Sequence, residues 1–165
     1  MKISRKLGIF ILIVFNIIID QVSKIIVRNN VAIGEETELI GKKFILTNVY
    51  NKGAFLGMGS DMSDTLRVIF LLVLPVLVLG YLIYYIYTNK ELDKISTIAL
   101  SCIAGGGIAN VYDRIMFGEV TDFFFINLGG VFKTGIFNVA DMSVTFGLLL
   151  LVYAWVKASR QKQEA

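Results

Sequence analysis

The chain has 165 residues, of which 56% are hydrophobic and 18% are charged, and its mean hydropathy is +0.71. Soluble domains average roughly 45–50% apolar and about 25% charged residues, so this composition excludes a disordered protein and predicts a single integral membrane domain over residues 1–165. With no His and one Cys, the chain cannot form zinc fingers, HExxH sites or the usual Ser/His and Cys/His nucleophile pairs.

Four apolar segments are long enough to cross a bilayer as helices, which takes about 20 residues. In chain order they are residues 7–27, 66–87, 95–115 and 136–156. The first is interpreted as an uncleaved helix because it is too long for a signal peptide and lacks a good small-residue cleavage site. In the second, Ser63 or Asp64 is the predicted N-cap, and Pro75 is expected to kink the helix without ending it.

The two segments between these helices that face outward are residues 28–65 and 116–135. In the first, the Gly41-Lys42 turn followed by β-forming residues at 43–50 predicts a small hairpin or sheet. The apolar residues 54–57 are expected to dip into the membrane interface. The second segment is interpreted as a loop. The predicted fold is therefore an all-α bundle of four transmembrane helices with a small extracytoplasmic β element.

Basic residues predict the orientation of the bundle. Half of the sixteen Lys and Arg residues lie at the two termini and in the turn at 89–94, namely Lys2, Arg5, Lys6, Lys90, Lys94, Lys157, Arg160 and Lys162. Positive charge concentrates on the cytoplasmic side, so both termini are expected to be cytoplasmic. Tyr and Trp near the ends of the second and fourth helices fit an inner aromatic belt. This distribution also argues against nucleic acid as a partner.

Three of the helices carry a stripe of polar residues at helical spacing. The stripes are Asn16, Asp20, Ser23 and Lys24; Gly106, Asn110, Asp113 and Arg114; and Asn138, Asp141 and Thr145. In lipid such stripes must face one another or water, so they are expected to meet near the outer end of the bundle. With its helix starting at 136, Asp141 is expected about 7–8 Å below the helix end.

The acidic residues allow more than one interpretation. Asp20 with Lys24, and Asp113 with Arg114, can be structural ion pairs between helices. Asp122 and Asp141 have no obvious local cation. Two carboxylates held close cannot both ionise, which is the aspartic-protease arrangement and requires neither His, Cys nor metal. An ion or proton pathway uses the same residue types.

The three glycines at 105–107 predict close helix packing rather than a phosphate loop.

Five ordered sequence blocks resemble the motifs of the bacterial lipoprotein signal peptidases (signal peptidase II). They are Asp20-Gln21-Val22-Ser23-Lys24, Asn51-Lys52-Gly53-Ala54-Phe55, Gly105 through Arg114, Val120-Thr121-Asp122-Phe123, and Phe137-Asn138-Val139-Ala140-Asp141. The resemblance covers nearly the whole chain. The sequence departs from the pattern at Phe55-Leu56, at Phe124-Phe125 and over residues 129–135, which puts the shape of the outer loops in question.

The resemblance implies a specific activity. Members of the family cleave prolipoproteins at the outer face of the bacterial inner membrane, just before a lipobox Cys that carries diacylglycerol. It implies Asp122 and Asp141 as the catalytic pair, with no metal and no cofactor. It also implies supporting or substrate-binding roles for Asp20, Lys24, Asn51, Gly53, Asn110, Arg114 and Asn138, and close packing at Gly106 and Ala140. Arg114 is expected to bond to Asp113 or to a backbone carbonyl.

Two other functions remain open on the residues alone. A small transporter or ion-coupled channel could use the same acidic cluster, and a lipid-binding or assembly scaffold would make the acids structural only. A cleft that brings Asp122 and Asp141 together and opens sideways to lipid favours the peptidase. A continuous polar path to the cytoplasmic side favours transport.

Overall fold

The computed structural model describes residues 4–53 and 62–163, and the predicted interfacial segment at 54–57 lies outside them. Among these described residues, four helices are long and apolar enough to cross a membrane, and a three-stranded antiparallel sheet accompanies them. The helices are α1 Arg5–Asn30, α2 Asp64–Thr88, α3 Lys94–Phe117 and α4 Val139–Gln163. The strands are β1 Glu36–Ile40, β2 Phe44–Asn51 and β3 Val120–Ile126. This architecture confirms the predicted fold class.

Helix ends follow local capping signals. The Ser4 hydroxyl accepts from the Leu7 amide at 3.3 Å at the start of α1. The Asp93 carboxylate accepts from the amides of Ile95 and Ser96 at the start of α3. Gly118, with a φ of 78°, ends α3 in the left-handed conformation that glycine adopts without strain. These caps make α1 and α3 slightly longer at both ends than the predicted apolar segments.

Pro75 does not end α2, as predicted. The residue lacks an N–H, and its ring would clash with the carbonyl four positions earlier in a regular helix. Ile69–Val73 forms a π-helical turn that ends two residues before Pro75, which widens the helix where that carbonyl lies. Ser63 occupies the N-cap position, although its side chain makes no capping hydrogen bond.

Helix α3 lies at the centre of the bundle, and its three consecutive glycines each face a different helix. A Cβ atom on Gly105 would lie 2.7 Å from the Asn16 Cβ on α1, and one on Gly107 would lie 2.6 Å from Leu79 Cδ2 on α2. A Cβ on Gly106 would overlap the Ala140 carbonyl on α4. Small residues allow helices to approach this closely, so the predicted packing role of the glycines is confirmed.

The sheet has the order β1-β2-β3, and the turn between the first two strands contains Gly41 at a φ of 48°. The hairpin prediction is therefore confirmed. No strand was predicted in the outward loop at 116–135, but Val120–Ile126 is a strand paired with β2. Its β-branched and aromatic composition carried the signal. The pairing sets Asp122 opposite Val49, which lies two residues before Asn51 at the end of β2.

Helix α4 starts at Val139, three residues later than predicted. Phe137 is instead paired with β3, since its amide donates to the Phe124 carbonyl at 2.9 Å and its carbonyl accepts from Phe124 at 2.8 Å. Asp141 consequently lies in the first turn of α4, about 3 Å along the helix axis from its start and not 7–8 Å.

Candidate active site

Asp122 is positioned by the pairing of β2 and β3. Its Oδ2 accepts from Asn51 Nδ2 at 2.9 Å, and its Oδ1 accepts from Asn138 Nδ2 at 2.6 Å. The residue is only 4% exposed. Burial raises the pKa of Asp122 to about 6; the amide of Asn51 opposes this effect, and the nearby Asp141 carboxylate adds to it.

Asp141 is held by the start of α4. Its amide donates to Asn138 Oδ1 at 3.0 Å, and its Oδ2 accepts from the Asn138 amide at 3.1 Å. This reciprocal pair is a capping box with Asn138 as the N-cap residue. The other carboxylate oxygen accepts from Asn110 Nδ2 on α3 at 2.9 Å. Two helices therefore fix the orientation of one half-buried carboxylate.

Asn138 connects the two carboxylates. Its side-chain nitrogen donates to Asp122, while its backbone amide and side-chain oxygen bond to Asp141. The same nitrogen reaches Asn110 Oδ1 at 3.1 Å, and Asn138 is fully buried. The structure thus brings Asp122 and Asp141 into one site. In the part of the chain that the structure describes, neither carboxylate forms an ion pair.

A buried charge cluster lies beside this site. Lys24 Nζ lies 2.7 Å from Asp20 Oδ2 and 3.0 Å from Asp113 Oδ2, and all three side chains are fully buried. Lys24 also donates to Asn110 Oδ1 at 2.9 Å, and Asp20 Oδ1 accepts from the Ala140 amide at 2.8 Å. These contacts compensate the desolvation of the charges and connect α1 to the residues that orient Asp141.

Arg114 makes its contacts with backbone carbonyls. It donates to Gly53 at 2.9 Å and to Asn110 at 3.2 Å, which confirms the second of its two predicted partners. The alternative ion pair with Asp113 is wrong, since Asp113 pairs with Lys24 and Arg28. Adjacent helical residues point in different directions, which separates the two side chains. Gly53 in turn donates to Asn51 Oδ1, so Arg114 holds the segment that carries Asn51.

A groove beside Asp141 runs along an exposed apolar face of α4. The cavity has a volume of about 430 Å³. Its lining consists of Thr134, Gly135, Phe137, Asp141, Met142, Thr145, Phe146 and Leu149. Asp141 is the charged residue of this lining, and Met142, Phe146 and Leu149 are at least half exposed along the helix face. Asp141 therefore lies beside an exposed apolar surface.

All the predicted site residues lie in this region, but the sequence analysis missed three others. Gln21 Nε2 donates to Asp113 Oδ1 at 2.9 Å, and Arg28 bonds to both Asp113 and Thr121. Gln21 and Thr121 lie inside the recognised sequence blocks, next to Asp20 and Asp122. Arg28 follows Lys24 by one helical turn, so it lies on the same face of α1. That spacing could have indicated that Arg28 belongs to the polar stripe.

Comparison with known proteins identifies relatives over nearly the full length. Residues 12–157 match the family model described as signal peptidase (SPase) II. The lipoprotein signal peptidases of Staphylococcus aureus strains JH9 and Newman are each 33% identical over 159 residues, covering 96% of this chain and 94% of theirs. A bacterial membrane enzyme solved by the in meso method at 2.3 Å resolution superposes with a TM-score of 0.82 at 30% identity, covering 96% of this chain and 93% of its own. A second bacterial membrane enzyme, solved by the in meso method at 1.9 Å resolution, superposes with a TM-score of 0.78 at 29% identity, covering 91% of this chain and 93% of its own.

Proposed function

The chain belongs to the signal peptidase II family and is a membrane peptidase that removes signal peptides from prolipoproteins, and we propose that Asp122 and Asp141 are its catalytic pair. The observation that carries this assignment is the double contact of Asn138, which bonds to both carboxylates in one buried site. The remaining contacts of the pair come from neutral amides, which orient the carboxylates without fixing their charge.

The proposed chemistry is general acid–base catalysis by a shared proton. One ionised aspartate takes a proton from water, which attacks the scissile carbonyl, while the other aspartate, protonated, donates a hydrogen bond to the carbonyl oxygen. A raised pKa at Asp122 supports this scheme, because it keeps one carboxyl protonated closer to neutral pH. The two ionisations belong to the pair and not to either residue alone.

The proposed substrate is a prolipoprotein whose lipobox Cys carries diacylglycerol, cut immediately before that Cys. The apolar groove beside Asp141 supports this proposal, because it joins a polar reaction site to a surface suited to a hydrophobic helix or an acyl chain. The residues of β2 and the connection between β3 and α4 would flank the substrate from the sheet side. Membrane lipid is the other proposed partner.

The chain is a multi-pass membrane protein, and we propose that both termini are cytoplasmic and that the site lies near the outer face of the bacterial inner membrane. Arg5 and Lys94 begin α1 and α3 at one end of the bundle. Asp141 begins α4 at the opposite end. The distribution of positive charge supports placing the Arg5 end inside.

Transport through the same acidic cluster has less support. Between the site and the basic end, Ile9, Ile13, Ile86 and Ala104 form a buried apolar cluster of α1, α2 and α3. This cluster offers no polar side chain for a path between α1, α2 and α3. A purely structural scaffold gives no reason for two carboxylates that form no ion pair among the described residues, one of which lines an apolar groove.

The test is cleavage by the purified protein of two forms of one prolipoprotein, with and without diacylglycerol on the lipobox Cys. Mass spectrometry should find a single cut before the modified Cys and little or no cleavage of the unmodified form. Excess chelator should leave the rate unchanged, because the site offers no His and no thiolate to bind a transition metal. Absence of cleavage in well-folded protein would contradict the assignment of this site.

A further inference from the structure

Arg28 lies near the end of α1 and connects three elements of the site. Its Nε donates to Thr121 Oγ1 on β3 at 2.7 Å, and its Nη2 lies 3.1 Å from Asp113 Oδ2 on α3. The guanidinium also lies over the Phe117 ring, 4.1 Å from its centre. Thr121 and Asp113 are 1% and 0% exposed, so these are buried contacts and not a surface ion pair.

On one side, this arrangement reaches Asp122 through its neighbour in the chain. Two hydrogen bonds hold Thr121: its hydroxyl oxygen accepts from Arg28, and its amide donates to Asp113 Oδ2 at 3.2 Å. The Asn138 side chain also reaches the Thr121 carbonyl at 3.4 Å. Since Thr121 directly precedes Asp122, fixing its backbone limits where the Asp122 carboxylate can lie.

On the other side, the arrangement reaches Asp141 through charges. Asp113 shares its carboxylate between Arg28 and Lys24, and Lys24 also donates to Asn110 Oδ1. Asn110 then donates to Asp141. In their ionised forms Asp20, Asp113, Lys24 and Arg28 balance to zero. Without Arg28, Lys24 faces two buried carboxylates alone, and an excess negative charge remains beside the site.

We propose that Arg28 is a positioning residue for both aspartates, fixing β3 through Thr121 and balancing Asp113 so that Lys24 stays on Asn110. The inference rests on the proposed function and extends it to a residue outside the recognised sequence blocks. Arg28 is not among the residues that line the groove beside Asp141.

The experiment measures kcat, KM and their pH dependence per folded enzyme for three variants. Arg28→Gln should lower kcat roughly 10-fold or more with KM within about twofold, because misplaced catalytic groups cost rate without costing binding. Its pH profile should move to higher pH, since excess negative charge favours the protonated pair. Thr121→Val should lower kcat several-fold without moving the profile. Arg28→Lys should keep the wild-type pH profile but not the wild-type kcat. An ammonium group retains the charge but cannot bond to Thr121 and Asp113 with the planar geometry of the guanidinium group.

Arg160→Gln, at the exposed end of α4, is the matched control and should behave as wild type. If Arg28→Gln and Thr121→Val retain wild-type kcat and pH profile per folded molecule, the inference is overturned. The inference is also overturned if the variants only lower the amount of folded protein, with kcat per folded molecule unchanged. Failure of the wild-type protein to cleave would instead contradict the proposed function, so the two failures are distinguishable.

Discussion

Asn138 and Asp141 exchange two hydrogen bonds at the start of α4, one from each backbone amide to the other residue's side chain, at 3.0 and 3.1 Å. A helix cap and a proposed catalytic group are therefore the same structural unit. The orientation of Asp141 depends on α4 starting at the correct residue. The pairing of Phe137 with β3 sets that start, and β3 carries Asp122.

Replacement of Asn138 separates its capping role from its bridging role. Asn138→Ala should lower stability by about 0.5–2 kcal/mol through loss of the cap, and activity by at least about 10-fold because the Asp122 carboxylate loses a donor and the Asp141 amide loses its acceptor. Asn138→Ser retains a capping oxygen but no amide donor. It should recover most of the thermal stability in detergent and little of the activity. Equal recovery of both would contradict the bridging role.

The raised pKa of Asp122 predicts how activity depends on pH. In the free enzyme, kcat/KM should fall as pH rises through about 6, because the second proton of the pair is then lost. A bound substrate excludes water, which disfavours the ionised carboxylate. The fall in kcat with rising pH should therefore occur at higher pH than the fall in kcat/KM. Measuring both profiles with the lipidated precursor checks this order. A kcat/KM that rises through pH 6 to 8 would contradict it.

The same ionisation predicts a pH-dependent stability. A folded-state pKa of about 6 lies above the usual 3.8, so protonated Asp122 favours the fold. This stabilisation, on the order of 3 kcal/mol, is fully present below about pH 4 and is lost as pH rises through 6. Asp122→Asn stays neutral at every pH. Its melting temperature should therefore not fall as the pH rises through 6, whereas that of the wild type should, as thermal unfolding at several pH values would reveal.

Gly106 tests the close contact between α3 and α4. A Cβ there would overlap the Ala140 carbonyl and lie 2.9 Å from Val144 Cγ2, so Gly106→Ala should cost about 1–3 kcal/mol and displace Asp141. Gly80→Ala is the matched control, since nothing lies within 4 Å of its Cβ position on α2. That variant should be neutral or slightly stabilising. Similar melting temperatures for the two variants would contradict the packing account.

The proposed orientation is tested by reporter fusions. Fusions near residues 40 and 125, which lie in or beside the sheet, should report the outside of the membrane. Fusions near residue 92 and at the C-terminus should report the cytoplasm. An inside location for the 28–65 segment would place the carboxylates on the wrong side for substrates exported across the membrane.

Much of this architecture could be predicted from the sequence because it depends on local patterns. Long apolar segments give the four helices, and polar residues at helical spacing identify Asp20, Lys24 and Asn110. The membrane strengthens these signals, since polar groups in a membrane span must contact other polar groups of the protein or water.

The features that the sequence did not predict depend on contacts between distant segments. The pairing of β3 with β2, which lies about 70–80 residues earlier in the chain, is one such contact. The pairing of Phe137 with β3 moves the start of α4 to Val139 and places Asp141 in its first turn. Arg114 was assigned two possible partners because nothing local distinguishes Asp113 from the Gly53 carbonyl. Arg28 was missed because its partners lie on α3 and β3.

The central claim is that Asp122 and Asp141 act as one catalytic pair, and the most direct test measures cleavage of the lipidated precursor by Asp122→Asn, Asp141→Asn and the double variant. Both substitutions are nearly isosteric, so correctly inserted and folded protein should be recovered in each case. Each single variant should lose cleavage by several orders of magnitude, and the double variant should be little worse than either, because the residues work as a unit. Substantial cleavage by either single variant, in stable and correctly inserted protein, would remove that residue from the pair.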